Sequence, residues 1–185
     1  MGRDAQATRD RLIMAARKAF SARGFERTTV REIASDAGVS PALINRYFGG
    51  KEQLFAEAAS IDLGFPDLTQ VARDQLGVTL VAHFFHRWEG RQHDDLLRVL
   101  IRTAATNQEA AARIQNILAG QVGAMVERVA GPARARERAC LIATQILGLA
   151  YARYVLGISD EDVPQRTVLA MVGGTIQRYL IDELP

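Results

Sequence analysis

One short stretch, Thr28 to Lys51 with the sequence TTVREIASDAGVSPALINRYFGGK, constrains this chain more than any other. Thr29 and Glu32 stand at the spacing of a capping box, in which a hydroxyl and a carboxylate satisfy each other's helix-end N–H groups. Val30, Ile33, Ala34 and Ala37 recur every three or four residues and give the first helix one apolar face. Gly38 follows where the chain has to turn, and a residue without Cβ takes positive φ at no steric cost. Ser40 suits an N-cap and Pro41 the first helical position, where a missing N–H is not needed. Two helices joined by a short glycine-containing turn make a helix-turn-helix, whose second helix enters a DNA major groove.

The segment TTVREIASDAGVS, a short helix ending in RYF, and GGKEQLF together resemble the DNA-binding domain of TetR-family transcriptional regulators. The resemblance begins with the helix carrying TRDRLIMAARKAFSARGFERTT and covers residues 8–60. It implies an all-α fold, with an N-terminal three-helix helix-turn-helix domain (1–50, with a linking helix 51–64) and a C-terminal helical ligand-binding and dimerisation domain (65–185). It also implies a homodimer on a DNA operator, most simply a repressor released by a small-molecule effector. An activator or an effector-independent regulator is the alternative. Pro41, Ala42, Leu43 and Asn45 stand where Lys, Gly, Thr and Tyr are more usual in the family, which bears on the operator that is read.

Composition agrees with a DNA-binding end. Apolar residues make up 48% and charged residues 24% of the 185, the balance of an ordinary globular chain. Net charge is only +2, yet residues 1–60 hold ten Lys and Arg against seven Asp and Glu, leaving the remainder slightly acidic. A single cysteine, Cys140, excludes an internal disulfide and suits a reducing cytoplasm. The longest uncharged run, Ala139 to Ala152, falls short of the about 20 apolar residues that a membrane span needs. A cytoplasmic protein without membrane contact is expected.

In chain order, residues 1–6 are expected to fray. A helix from about Asp4 to Arg23 then carries Leu12, Ala15, Ala16, Ala19 and Phe20 on one stripe, and Gly24 stops it. A fourth helix runs from Lys51 to about Leu63, with a boundary at Gly64-Phe65-Pro66. Beyond it, helices are expected near 68–89, 93–106, 108–130, 132–157 and 162–182, and no strand-like alternation occurs.

Candidate DNA contacts divide by chemistry, with phosphates supplying affinity and base edges specificity. Thr29 offers a hydroxyl and a helix-end N–H, Tyr47 a phenol or a core ring, and Lys51 a point charge; the family resemblance implies backbone contact for all three. Ser40 starts the second helix, whose outward residues are Pro41, Ala42, Leu43, Asn45 and Arg46. Asn45 suits the adenine N6/N7 edge, Leu43 a thymine methyl, and Arg46 either guanine O6/N7 or a phosphate. Arg31 faces backbone, base or solvent.

In the C-terminal region His83, Phe84, Trp88, Arg102, Thr103, Gln145 and Tyr151 are the candidate effector-pocket residues, aromatic walls with few polar groups. The apolar 132–157 helix and the glycine-containing 162–182 helix are expected to pair with their copies in a second chain. Leu141, Gly148, Ala152, Val172, Gly173 and Ile176 are the expected interface residues, the alternative being a buried core within one chain. Enzyme readings are weak: His83, His86 and His93 lack a zinc-site partner, Cys140 sits in an apolar helix, and no phosphate-cradling or nucleophile motif occurs. No cofactor and no metal are expected.

Overall fold

The computed structural model describes residues 3–90 and 95–185; the expected helix start at 93 and His93 lie outside them. Among the described residues there is no strand. The α-helices, in chain order, are α1 (Arg3–Arg27), α2 (Val30–Asp36), α3 (Ala42–Phe48), α4 (Lys51–Ala58), α5 (Leu76–Glu89), α6 (Asp95–Thr103), α7 (Gln108–Ile117), α8 (Gly123–Ala130), α9 (Ala135–Tyr154) and α10 (Gln165–Ile181). They fall into two compact units, Met1–Ile61 with Asp95–Ile114 and Asp62–Asp94 with Gln115–Pro185. α6 packs on α1 in the first unit, and its Leu96, Leu97, Leu100 and Ile101 are buried.

The first unit is built on α1. Leu12, Ala16, Ala19 and Phe20 are withdrawn from solvent, as their helical spacing requires. α1 is helical from Arg3, with the Thr8 hydroxyl donating to Asp4 O and the Gln6 amide to Asp10. The helix breaks at Gly24 (φ 76°, ψ 174°), and one further turn carries it to Arg27. That left-handed residue folds Phe25 back, its ring centroid 5.9 Å from Phe20 and 5.0 Å from Phe55. The buried Thr28 hydroxyl donates to Gly24 O at 2.8 Å and closes the break.

α4 ends at Ala58, short of the expected Leu63, because arginines take its last carbonyls. Arg17 of α1 donates to Ala58 O at 2.8 Å and Ser60 O at 3.2 Å, and Arg113 of α7 reaches Ala59 O and the Ser60 hydroxyl. These bonds satisfy helix-end acceptors that a further turn would otherwise occupy.

In the second unit α5 and α10 cross at glycines. A Cβ on Gly77 would lie 2.1 Å from Gly173 O, and one on Gly173 3.1 Å from Val78 Cα. Gln177 locks the crossing: its Oε1 accepts from Gly77 N–H at 2.8 Å and its Nε2 donates to Arg73 O. Gly173 and Ile176, expected between two chains, are therefore buried within one. The small residues at that point serve an intrachain contact.

Four other helices differ from expectation. The segment 68–89 holds only a 3₁₀ turn, Leu68–Gln70 capped by Asp67, before α5 begins at Leu76. The segment 108–130 is divided by a π-helical turn, Leu118–Val122, which lets Gln121 Oε1 accept from Leu63 N–H at 2.7 Å. α9 and α10 are shorter than expected; Arg138 of α9 takes the Tyr179 and Asp182 carbonyls where α10 ends. No helix among the described residues is long and apolar enough to cross a membrane.

The crossing makes a paired prediction. Gly77→Ala must push α5 from α10 and should cost at least the about 1–3 kcal/mol typical of overpacking. Gly174→Ala, which meets nothing within 4 Å, should stabilise α10 by up to about 1 kcal/mol. Urea denaturation of both variants against the parent chain measures the contrast.

Candidate nucleic-acid interface

The helix-turn-helix is built by mutual satisfaction at its start. Thr29 N–H donates to Glu32 Oε2 at 2.8 Å, Glu32 N–H donates to Thr29 Oγ1 at 3.3 Å, and the Thr29 hydroxyl donates to the same carboxylate. Both groups that Thr29 was expected to offer to phosphate are thus held by Glu32 in the free protein. Two bonds from Thr29, the backbone one first, lower the Glu32 pKa below its ordinary 4.5, with the Arg23 guanidinium adding to the effect. Gly38 turns the chain at φ 65°, and Val39 N–H reaches Ala34 O across the turn. Ser40 opens the next helix: its hydroxyl accepts from Ala42 N–H at 3.4 Å and its carbonyl from Leu43 N–H. Pro41 already has helical dihedrals, one residue before α3.

α3 has two faces. Ile44 and Phe48 are buried, against which Asn45 and Arg46 stand exposed. Pro41 and Ala42 are exposed at its start, and Leu43 and Tyr47 are half-buried at the margins. The Arg46 guanidinium sits 6.0 Å from the Tyr47 ring centroid, and Arg31 is exposed on α2. Lys51, at the first turn of α4, rests its ammonium 4.3 Å above the Phe25 ring. Arg9 of α1 covers the Phe48 ring at 5.1 Å and pairs with Glu57 of α4, bracing the far end of the recognition helix. Sequence reasoning missed Arg9, because its partners lie about forty or more residues away; its place on the margin of the α1 stripe was the available signal.

The other candidates are dispersed. Phe84 and Trp88 are buried and pack on Tyr154, whose ring lies 4.5 Å from Trp88 and nearly parallel to it. Tyr151, the expected wall, is instead 42% exposed, one helical turn from the tyrosine that joins the cluster. His83 Nε2 bonds Leu63 O at 2.8 Å, and with His86, Arg87, Asp62, Gly64 and Gly90 it lines a surface pocket. Gln145 is half-buried on α9. Arg102, exposed, and Thr103, buried, belong to α6 of the first unit, whereas the other five candidates belong to the second. Of the interface candidates, Leu141, Ala152 and Val172 are half-buried and Gly148 is exposed. No cluster of three or more metal-ligating side chains occurs among the described residues.

Residues 12–58 match the family model of bacterial regulatory proteins of the tetR family, and residues 74–180 match that of the tetracyclin repressor-like C-terminal domain. The chain belongs to the TetR family of transcriptional regulators, a family of DNA-binding proteins and not of enzymes. It is 31% identical to the HTH-type transcriptional regulator BetI of Brucella anthropi, across 95% of this chain and 94% of that one. Among solved structures it resembles a TetR-family regulator of Streptomyces coelicolor (26% identity, TM-score 0.55, 98% and 100% covered). It also shares the fold of NalD of Pseudomonas aeruginosa, described as a secondary repressor of a multidrug efflux pump (18% identity, TM-score 0.59, 98% and 100% covered).

The capping box carries a pH signature. Because the folded pKa of Glu32 is depressed, its contribution is fully present above the unfolded value near 4.5 and lost as pH falls through the lower folded one. Glu32→Gln should therefore flatten part of the acid loss of stability below pH about 4.5 while leaving the neutral-pH slope unchanged. Thermal melts from pH 3 to pH 7, compared with the parent chain, read this directly.

Proposed function

We propose that this regulator is a cytoplasmic homodimer that represses transcription from a near-palindromic operator and is released by a small-molecule effector. The observation that carries the reading is α3 itself, packed inward through Ile44 and Phe48 with Asn45 and Arg46 free on the outer face. Those two side chains have the donor and acceptor geometry for adenine and guanine edges, and Leu43 beside them suits a thymine methyl. Tyr47, Lys51, Arg31 and the start of α2 at Thr29 supply phosphate contacts around them. Ser40, Pro41 and Ala42 keep the helix start slim where it meets the groove.

One α3 reads too few bases for a genomic address, so the operator is read twice. Two-fold pairing sets half-sites about 34–36 Å apart, or a multiple of this. Support for pairing through α9 and α10 comes from apolar side chains left in water, Met171 (69% exposed) on α10 and Tyr151 on α9, with Leu156 (65%) just past the end of α9. Leu141, Gly148, Ala152 and Val172 remain as interface residues on these helices. The effector acts through its different affinity for dimer geometries that do or do not match both half-sites. Repression is favoured because a dimer seated on a promoter blocks access without a dedicated polymerase contact. An activator differs in the sign of its effect on transcription from that promoter.

Fluorescence anisotropy on the DNA flanking its own gene tests the reading. Binding should weaken steeply with salt, as phosphate contacts require. Arg46→Ala should cost roughly 1–3 kcal/mol on the selected operator and little on mixed-sequence duplex. Equal losses on both duplexes would reassign Arg46 to phosphate, and a monomer in sedimentation at micromolar concentration would sink the dimer.

A further inference from the structure

We infer that Phe25 is a positioning residue for DNA binding: its ring holds the Lys51 ammonium where a phosphate is met. The inference rests on the reading of Lys51 as a phosphate contact. Lysine is a poor fixed point, a flexible four-carbon stem whose rotamers are lost when it binds. Here that freedom is already reduced, because the ammonium lies 4.3 Å from the Phe25 ring centroid, within the range of a cation–π contact. The ring cannot follow the lysine away. It is 8% exposed, packed on Phe20 and Phe55, and set by the Gly24 break that the Thr28 hydroxyl closes. A π face attracts the charge without saturating its N–H donors, so the donors turned away from the ring stay available to a phosphate oxygen. The ordering is thereby supplied by folding and is not repeated at binding.

Because a phosphate contact is independent of sequence, a labelled mixed-sequence duplex is a sufficient probe. Anisotropy titrations over a range of salt concentrations compare the parent chain, Lys51→Met, Phe25→Leu, the double variant, and a chain with trifluorophenylalanine at position 25. The last keeps the ring's shape and removes most of its negative face. Melting curves confirm that each chain is folded at the temperature used. Lys51→Met should make the salt slope shallower by about 0.9 per protomer. Phe25→Leu and the fluorinated ring should each weaken binding about two- to tenfold per protomer, the cost of ordering one flexible side chain at binding. Phe25→Leu should have no effect once Lys51 is Met. An equal loss from Phe25→Leu with and without Lys51, or a fluorinated ring that binds like the parent, overturns the inference and leaves Lys51 as a phosphate contact. A Lys51→Met chain with unchanged affinity and slope overturns the inference together with that role of Lys51. Absence of binding by the parent chain at low salt overturns the DNA reading itself.

Discussion

The first unit depends on a joint of three phenylalanines. Phe20 closes the buried stripe of α1, Phe55 lies on the inner face of α4, and Phe25 is folded between them by the reversal at Gly24. The Phe20 and Phe55 rings meet edge to face with centroids 4.9 Å apart, an arrangement their quadrupoles favour. Because the joint fixes where α1 ends and how α4 lies against it, it also determines where the two short helices between them are carried. Neither α2 nor α3, at seven residues each, is long enough to be stable as an isolated helix. They persist because Ile33, Ala34, Ile44 and Phe48 are buried against this frame.

A second theme is the use of arginine to end helices. Arg17 and Arg113 take the terminal carbonyls of α4, and Arg138 takes those of α10. A guanidinium presents several donors in a planar fork, so one side chain answers two orphan acceptors and ties two elements together. Arg113 is notable because it reaches α4 from α7, far along the chain. Some of the chain's arginines are thus committed to architecture, while Arg31, Arg46 and Lys51 belong to the helix-turn-helix and the start of α4.

The recognition face follows from a division of labour on one short helix. Alternate sides of α3 carry Ile44 and Phe48 inward and Asn45 and Arg46 outward, so fixing the inner pair presents the outer pair. Thr29 shows the opposite case. Its hydroxyl and N–H were legible as exposed polar groups at a helix start, yet both are engaged by Glu32, and their primary role in the free protein is to hold α2 in place.

Local rules were enough for the helix-turn-helix. Capping-box spacing, the glycine turn, the serine and proline start and the aromatic pair are all short-range signals, and each specifies backbone geometry within a few residues. The same reasoning went astray wherever a distant partner decided the outcome. α4 is cut short by arginines from α1 and α7, and α6 joins the first unit although it follows α5 in sequence. Tyr154 and not Tyr151 joins the aromatic cluster. Gly173 and Ile176, expected at an intermolecular face, lie in an intramolecular one, since a small-residue stripe records only that another helix comes close. Sequence alone therefore determined that the chain is helical, its family and the helix-turn-helix with Asn45 and Arg46 on its outer face, because periodicity and capping are local. Tertiary structure decided which helix meets which and where each one stops, because those depend on contacts between residues that sequence order keeps apart.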